Sequence, residues 1–490
     1  MKNTPDVKLG IIAVSRSCFP MTLSEERKNR ILEAYGPELY GCPIVVENEL
    51  DAMKAVEDVK KAGVNALVVY LGNFGPETPE TIIADLFEGP KMYVAAAEEG
   101  MTLIDSRGDA FCGMLNASYN LGLRHKRVYI PDYPVGTPKE VAAMIKEFEP
   151  IACAMIGLAN LKIIAFGPRP DDFLACNAPI KALYDIGVAV EENSELDLLV
   201  AYNKHANDPR IPAKVDEMNE ELGLANPYKG ILPRLAQYEL TLLDWAEAHK
   251  GTRKYVCFAN KCWPAFQTEF KFVPCYVNSR LTGMGIPVSC EVDMYGALSE
   301  YIGLCISGKV PTLLDINNTV SKEIYDAEIK GKADYRLNET FMGFHCGNTC
   351  TTLLRDPHMS YQRIMKRDLE PEGEPDITRG TMEGDIIPGK ITFFRLQSTA
   401  GTELKAYVAE GESLDAKSHS FGSIGVFAIK EMDRFYRNVL IAKRYPHHAA
   451  VAFEHIGKPL YEVFKLLGVE DIAYNQPANL PYPGENPFKK

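Results

Sequence analysis

Four stretches of the chain hold side chains able to do chemistry together. Glu291 follows the apolar run Ile286–Cys290 in PVSCEVDMYGALSEYIG (287–303), and the residues after it take helical spacing at Leu298, Ile302 and Cys305. Asp315 ends the next apolar run, in VPTLLDINN (310–318). His447 and His448 stand together in YPHHAAVAF (445–453), and His345 lies in GFHCGNT (343–349). Two carboxylates forced side by side repel unless one is protonated or a cation lies between them. A hard divalent ion such as Mn2+ or Mg2+ is suited to oxygen ligands, with an imidazole completing a mixed shell. Neighbours in an extended segment point to opposite faces, so one of the two adjacent histidines is expected to reach a given site. His345, among small and apolar neighbours, is expected to be buried.

The elements around these residues must position them. Glu291 and Asp315 are 24 residues apart, about what a strand-end, a helix, its loops and a return strand require. If the two strands are parallel neighbours, roughly 4.8 Å apart, both carboxylates emerge at the C-terminal edge of the sheet, where open α/β folds bind ligands. Taken alone, either acid also reads as a helix cap or a loop acid. Asp293 is the better-placed N-cap, which leaves Glu291 without that role.

Strand-like and helical patterns alternate from the start of the chain. VKLGIIAV (7–14), CPIVV (42–46), ALVVYLG (66–72) and KMYVAAA (91–97) are short apolar runs separated by amphipathic stretches, the pattern of a parallel sheet covered by helices. The pattern restarts at LKIIAFGPRP (161–170) and continues through KYVCFAN (254–260), IPVSC (286–290) and VPTLLD (310–315). After about residue 350 the texture changes to short β-rich runs with Pro-Gly and Ala-Gly turns, which predicts antiparallel strands in a barrel-like arrangement. The expected fold class is α/β: a Rossmann-like domain over 1–165, a second parallel-sheet domain over 166–350 carrying the carboxylates, and a β-rich domain over 351–490 carrying the histidine.

Bulk properties narrow the function. The 490 residues are 46% hydrophobic and 24% charged, with a net charge of −13, which argues against nucleic acid or an anionic membrane as partner. The first apolar stretch, Leu9–Val14, is too short for a secretory signal, and Ile151–Phe166 is interrupted by Asn160 and Lys162 and too short to span a bilayer. The 12 cysteines contain no CxxC pair and many sit in apolar runs, which reads as a reduced, cytoplasmic protein. YLGNFGPE (70–77) lacks GxGxxG, and neither GxxxxGK[ST] nor a GxSxG elbow is present.

Read together, CEVDMYGAL, TLLDINNT and YPHHAAVAF resemble the metal-ligand blocks of the L-fucose isomerase and L-arabinose isomerase superfamily. IIAFGPRPDDF (163–173) and KCWPAFQ (261–267) resemble further blocks of its shorter fucose-isomerase-like branch. The resemblance implies two Rossmann-like domains and a C-terminal antiparallel barrel, assembled as a hexamer or trimer with active sites completed by a neighbouring subunit. It implies Glu291, Asp315 and His448 as ligands of Mn2+ (or Mg2+ or Co2+), with His447 as the alternative. It places Trp263, Gln267 and His345 around the sugar and matches Arg16, in AVSRSCFP (13–20), to a region reaching a neighbour's site. The implied activity is aldose–ketose isomerisation through an enediolate, with Glu291 and Asp315 as acid/base pair and an L-fucose- or L-arabinose-like sugar as substrate. An anionic sugar such as sulfoquinovose is the alternative. A non-enzymatic sugar-binding protein is a second alternative, but it leaves the carboxylates, the histidine and the β-rich third without a purpose.

Overall fold

The computed structural model describes residues 2–104 and 106–488. The chain forms two compact units, Pro5–Gly157 on the one hand and Met1–Thr4 with Leu158–Lys490 on the other.

In the first unit, β1 (Leu9–Val14), β2 (Tyr40–Gly41), β3 (Ala66–Leu71), β4 (Lys91–Ala96) and β5 (Val135–Gly136) form a parallel sheet in the order β2-β1-β3-β4-β5. β1 and β3 are buried along their whole length, as strands covered on both faces must be. The apolar run 42–46 does not continue β2 as a strand. Cys42 and Val46 still donate to the carbonyls of Ile11 and Ala13 at 3.0 Å, but Pro43 between them has no N–H, so the ladder lapses there.

The larger unit holds two sheets. β6 (Leu161–Gly167), β7 (Ala189–Ser194), β8 (Tyr255–Asn260) and β9 (Val288–Cys290) are parallel in the order β7-β6-β8-β9. The remaining strands are β10 (Thr312–Thr319), β11 (Thr340–His345), β12 (Leu354–Tyr361), β13 (Arg379–Ile386), β14 (Gly389–Ser398), β15 (Leu404–Ser413), β16 (Ser423–Ala428), β17 (His448–Ala452) and β18 (Asp471–Tyr474). They form one mixed, mainly antiparallel sheet in the order β12-β13-β16-β11-β10-β17-β14-β15-β18. β15 also pairs with β16, at Glu412↔Ala428 and Ser413↔Phe427, so the six strands from β16 to β15 return on themselves through a seam of two residue pairs. Phe341, Phe393 and Phe427 pack edge-on and stacked in the core beside them.

β10 is not the parallel neighbour of β9. It pairs antiparallel with β11 and β17 instead. The cause is the connecting helix Met294–Ser307, whose residues are buried from Met294 to Ile306. A helix apolar on all sides needs cover on all sides. It packs against β8 of one sheet and against β14 and β17 of the other, and the chain leaves it at Gly308, in left-handed conformation at φ 65°, to enter the second of these sheets.

Candidate active site

Glu291 and Val292 follow β9 with φ of 59° and 60°. Left-handed backbone at a β-branched residue is uncommon and costs on the order of 1–3 kcal/mol. Val292 is buried against Gly167, where a Cβ would stand 3.4 Å from its Cγ1. This turn delivers Glu291 to the third sheet. There Asp315 on β10 and His448 on β17 stand directly opposite each other in register and share a face. His448 Nε2 lies 2.9 Å from Glu291 Oε2 and 3.4 Å from Asp315 Oδ1. So the two acids converge as the sequence suggests, but through strands of two different sheets.

These three atoms are buried, yet among the described residues none is aligned in a hydrogen bond. Native structures rarely leave buried polar atoms in that state without a reason. The other ring nitrogen of His448 explains how Nε2 is aimed. Nδ1 is 2.8 Å from Asp293 Oδ2, and Asp293 in turn takes two bonds of 2.8 Å from Arg395 and caps the helix by accepting from Gly296 N–H. A carboxylate only accepts, so Nδ1 carries a proton and Nε2 is the nitrogen turned to Glu291 and Asp315, protonated while it faces bare carboxylates and able to offer its lone pair to a cation that replaces that proton. Arg395, fully buried, also donates to Gln397 and to the His448 carbonyl.

Electrostatics divides the two acids. Burial acts to raise the Glu291 carboxyl, but His448 outweighs it and holds it at about 2. Burial raises Asp315 to about 7, with the Glu291 charge adding and His448 opposing. For His448, burial is outweighed by Asp293, Cys176 and Glu291 beside its ring, and its pKa stands well above the usual imidazole value. Two carboxyls and an imidazole thus share protons around one point. A dication there would replace those protons, and the donor set, two carboxylate oxygens and one neutral nitrogen, fits an ion of the Mn2+ or Mg2+ class. Asp293 is the outer carboxylate such a histidine ligand requires.

The other expected residues are placed as follows. His345 ends β11, and its Nδ1 accepts from Cys346 N–H at 2.9 Å. Its Nε2 therefore carries the hydrogen; among the described residues it has no hydrogen-bond partner, and burial lowers the ring to about 4. His345 is a neutral donor beside the cluster. His447 precedes β17, so strand alternation does not apply to it. Its Nε2 also approaches Asp315, at 3.7 Å. Trp263 Nε1 donates to Glu291 Oε1 at 3.1 Å. Gln267 is turned inward, donating to the Cys262 carbonyl at 2.9 Å. Arg16 belongs to the N-terminal unit, 4.7 Å over the Phe74 ring and 3.8 Å from Glu77, whereas the cluster is drawn from the larger unit.

Three contributors escape sequence reasoning. Asp293 caps its helix as expected but also orients His448. Phe173 sets its ring against Trp263, His447 and His448, at 6.0, 5.4 and 6.2 Å. Arg395 left one signal: a charge inside ITFFRLQS (391–398) with apolar neighbours on both faces, which must find a buried counter-charge.

Residues 10–159 match the family model of the fucose/sulfoquinovose isomerase N-terminal domain, and residues 343–474 that of the L-fucose isomerase C-terminal domain. The chain belongs to the fucose-isomerase-like family. Among curated relatives, the sulfoquinovose isomerase of Alkalicoccus urumqiensis is 23% identical over 63% of this chain and 64% of its own. That of Priestia aryabhattai is 22% identical over 73% and 74%, and that of Clostridium sp. (strain MSTE9) 25% identical over 53% and 58%. The aligned stretch spans just under two thirds of the first of these relatives. Both carboxylates of the cluster lie between the two matched segments of this fucose-isomerase-like chain, and His345, His447 and His448 within the second.

Proposed function

We propose that the protein is an aldose–ketose isomerase acting on an anionic sugar of the sulfoquinovose type through an enediolate. One observation carries the isomerase reading: the convergence of Glu291 Oε2, Asp315 Oδ1 and His448 Nε2, buried and facing one another within 2.9–3.4 Å of the imidazole nitrogen. The names of the relatives favour an anionic substrate over the L-fucose- or L-arabinose-like sugar expected first.

Glu291, Asp315 and His448 would hold the divalent ion. When bound, it supplies Lewis-acid stabilisation of the negative charge that develops on the substrate oxygens. The remaining work falls to the chain. Ionised Glu291, one oxygen held by Trp263, takes the proton from C2, next to the carbonyl, and returns it to C1. Asp315, the weaker acid of the pair, carries the hydroxyl proton from O2 to O1; positioned acid–base groups of this kind contribute about 10²–10⁴-fold. His345 donates from Nε2 to a sugar oxygen, and the rings of Phe173 and Trp263 cover the reacting carbons and exclude water.

The same reading makes the protein a cytoplasmic homo-oligomer, hexamer or trimer, with Arg16 supplied by a neighbouring subunit. An exposed apolar stripe on the helix Ala110–Leu123 supports assembly. Among the described residues no helix is long and apolar enough to cross a membrane.

The test is a panel of sulfoquinovose, L-fucose and L-arabinose with chromatographic detection of ketose, before and after chelation and with Mn2+ restored. Ketose from sulfoquinovose at the highest kcat/KM is expected. Better turnover of L-fucose would overturn the substrate class, and no turnover of any aldose would overturn the isomerase.

A further inference from the structure

A cavity of about 640 Å³ is lined among others by Asn177, Gln397, Ser398, Thr399, Lys405 and Arg444, and by no Asp or Glu. Two of its residues connect it to the catalytic cluster. Pro446 lines it and leads directly into His447 and His448. Gln397 accepts from the same Arg395 that grips Asp293 and the His448 carbonyl.

Arg444 is an exposed residue of this wall. Among the described residues its guanidinium has neither a hydrogen bond nor an ion pair, whereas its neighbour Lys443 is paired with Asp471. Its backbone is left-handed at φ 57° where the helical segment Tyr436–Ile441 closes, with Arg444 N–H donating to the Ile441 carbonyl and Tyr445 N–H to that of Leu440. Lys405 braces this turn. Its ammonium donates to the carbonyls of Lys443 and Arg444, the second at 3.4 Å, and lies 4.5 Å over the Tyr445 ring. Of the nearby acids, Glu403 is engaged by the Thr399 hydroxyl at 2.5 Å and Asp471 is paired with Lys443. A cavity with two cations and no carboxylate in its lining suits an anion with several acceptor oxygens, and an arginine fork suits a tetrahedral one. By contrast, the cavity beyond the ends of β6 and β7 is lined by Arg169 but also by Glu192.

We infer that Arg444, on a turn braced by Lys405, binds the tetrahedral anionic group at the far end of the sugar and thereby sets the preference for a charged substrate. This rests on the isomerase reading above. An aldose with C1 and C2 at Glu291 and Asp315 sends its other end away from the cluster, and this cavity receives it.

The test compares wild type, Arg444→Gln and Arg444→Lys on sulfoquinovose, on glucose 6-phosphate and on 6-deoxyglucose, the neutral counterpart. Calorimetric binding of the corresponding sulfonated sugar alcohol, which has no carbonyl to isomerise, is measured alongside. A charge-assisted bond is worth about 10- to 100-fold in affinity. Arg444→Gln is therefore expected to raise KM for sulfoquinovose and Kd for the sulfonated alcohol by that factor, with kcat and 6-deoxyglucose turnover held within a few-fold and Arg444→Lys in between. The comparison with glucose 6-phosphate shows whether sulfonate or phosphate is preferred. Sulfoquinovose turnover with unchanged KM in Arg444→Gln overturns the subsite while leaving the isomerase standing. Loss of sulfonate binding in Arg444→Gln, in a protein that isomerises nothing, supports the subsite and overturns the isomerase.

Discussion

Glu291 occupies a left-handed position that glycine would take without strain, and it is followed by a valine in the same conformation. A fold tolerates that where the side chain is needed in one place. Replacing it with its neutral isostere keeps the volume and removes the charge, so Glu291→Gln and Asp315→Asn are each expected to cut kcat by at least about 10²–10⁴-fold. Circular dichroism and melting temperature should stay near wild type. Wild-type turnover in either variant would remove the core of the mechanism. Asp293 calls for a two-part test, because it both orients His448 and neutralises Arg395. Asp293→Asn should weaken Mn2+ binding about 10- to 100-fold, the usual consequence of losing such an outer carboxylate. It should also destabilise the protein by about 3–5 kcal/mol, since a buried guanidinium is left unpaired. Adding Arg395→Gln removes that charge, so urea unfolding should recover while calorimetric Mn2+ affinity stays low. If affinity recovers with stability, Asp293 serves packing alone.

The helix Met294–Ser307 is the element on which the site is mounted, and two of its residues make that testable. Gly296 sits against the cluster: a Cβ there would lie 2.6 Å from Asp293 Oδ2 and 2.8 Å from Ser289 Oγ. Alanine is the better helix former by about 1 kcal/mol, yet Gly296→Ala should lower stability by about 1–3 kcal/mol through overpacking and weaken Mn2+ binding by displacing Asp293. A more stable variant with unaltered affinity would show that this contact does not matter. Glu300, one turn on, is buried, and burial, with the Asp293 charge adding and His448 opposing, raises its carboxyl to about 8. The unfolded chain ionises it near 4.3. Between those values the native state holds the extra proton, so its contribution to stability falls as pH rises from about 4 to about 8, at up to about 1.4 kcal/mol per unit. Glu300→Gln should therefore gain on wild type in urea unfolding from pH 5 to pH 8; a constant gap would contradict the assignment. This element also marks where sequence reasoning stops. Period and turn chemistry identify β9, the helix and the apolar run of β10, and so place an acid at each strand. They do not say which sheet a strand joins, because that depends on what covers the far face of a helix apolar all round. The alternation rule likewise misjudges His447, since it holds only inside a strand and β17 begins one residue later.

At the scale of the whole molecule, the surface of the N-terminal unit bears on how many chains work together. The helix Ala110–Leu123 buries Ala110, Gly113, Met114, Ala117 and Leu121, while Phe111, Leu115, Tyr119 and Leu123, four residues apart, are 59%, 65%, 70% and 61% exposed. A helix with apolar stripes on two faces has only one of them satisfied within the chain, and contiguous exposed apolar area of this kind marks an interface. Sedimentation should therefore give a multiple of 54.5 kDa, and Leu115→Glu with Tyr119→Glu should reduce it toward a single chain without changing the circular dichroism. Assembly alone does not show that active sites are shared, so two inactive variants are needed. Arg16→Ala damages the group expected to come from a neighbour, and Glu291→Gln damages the group that stays with its own cluster. If each site takes Arg16 from one subunit and Glu291 from another, dissociating and reassembling the two variants together creates some sites with both residues intact, and turnover appears that neither variant has alone. If each chain carries a complete site, every site in the mixed oligomer lacks one residue or the other, and the mixture stays as inactive as its parts.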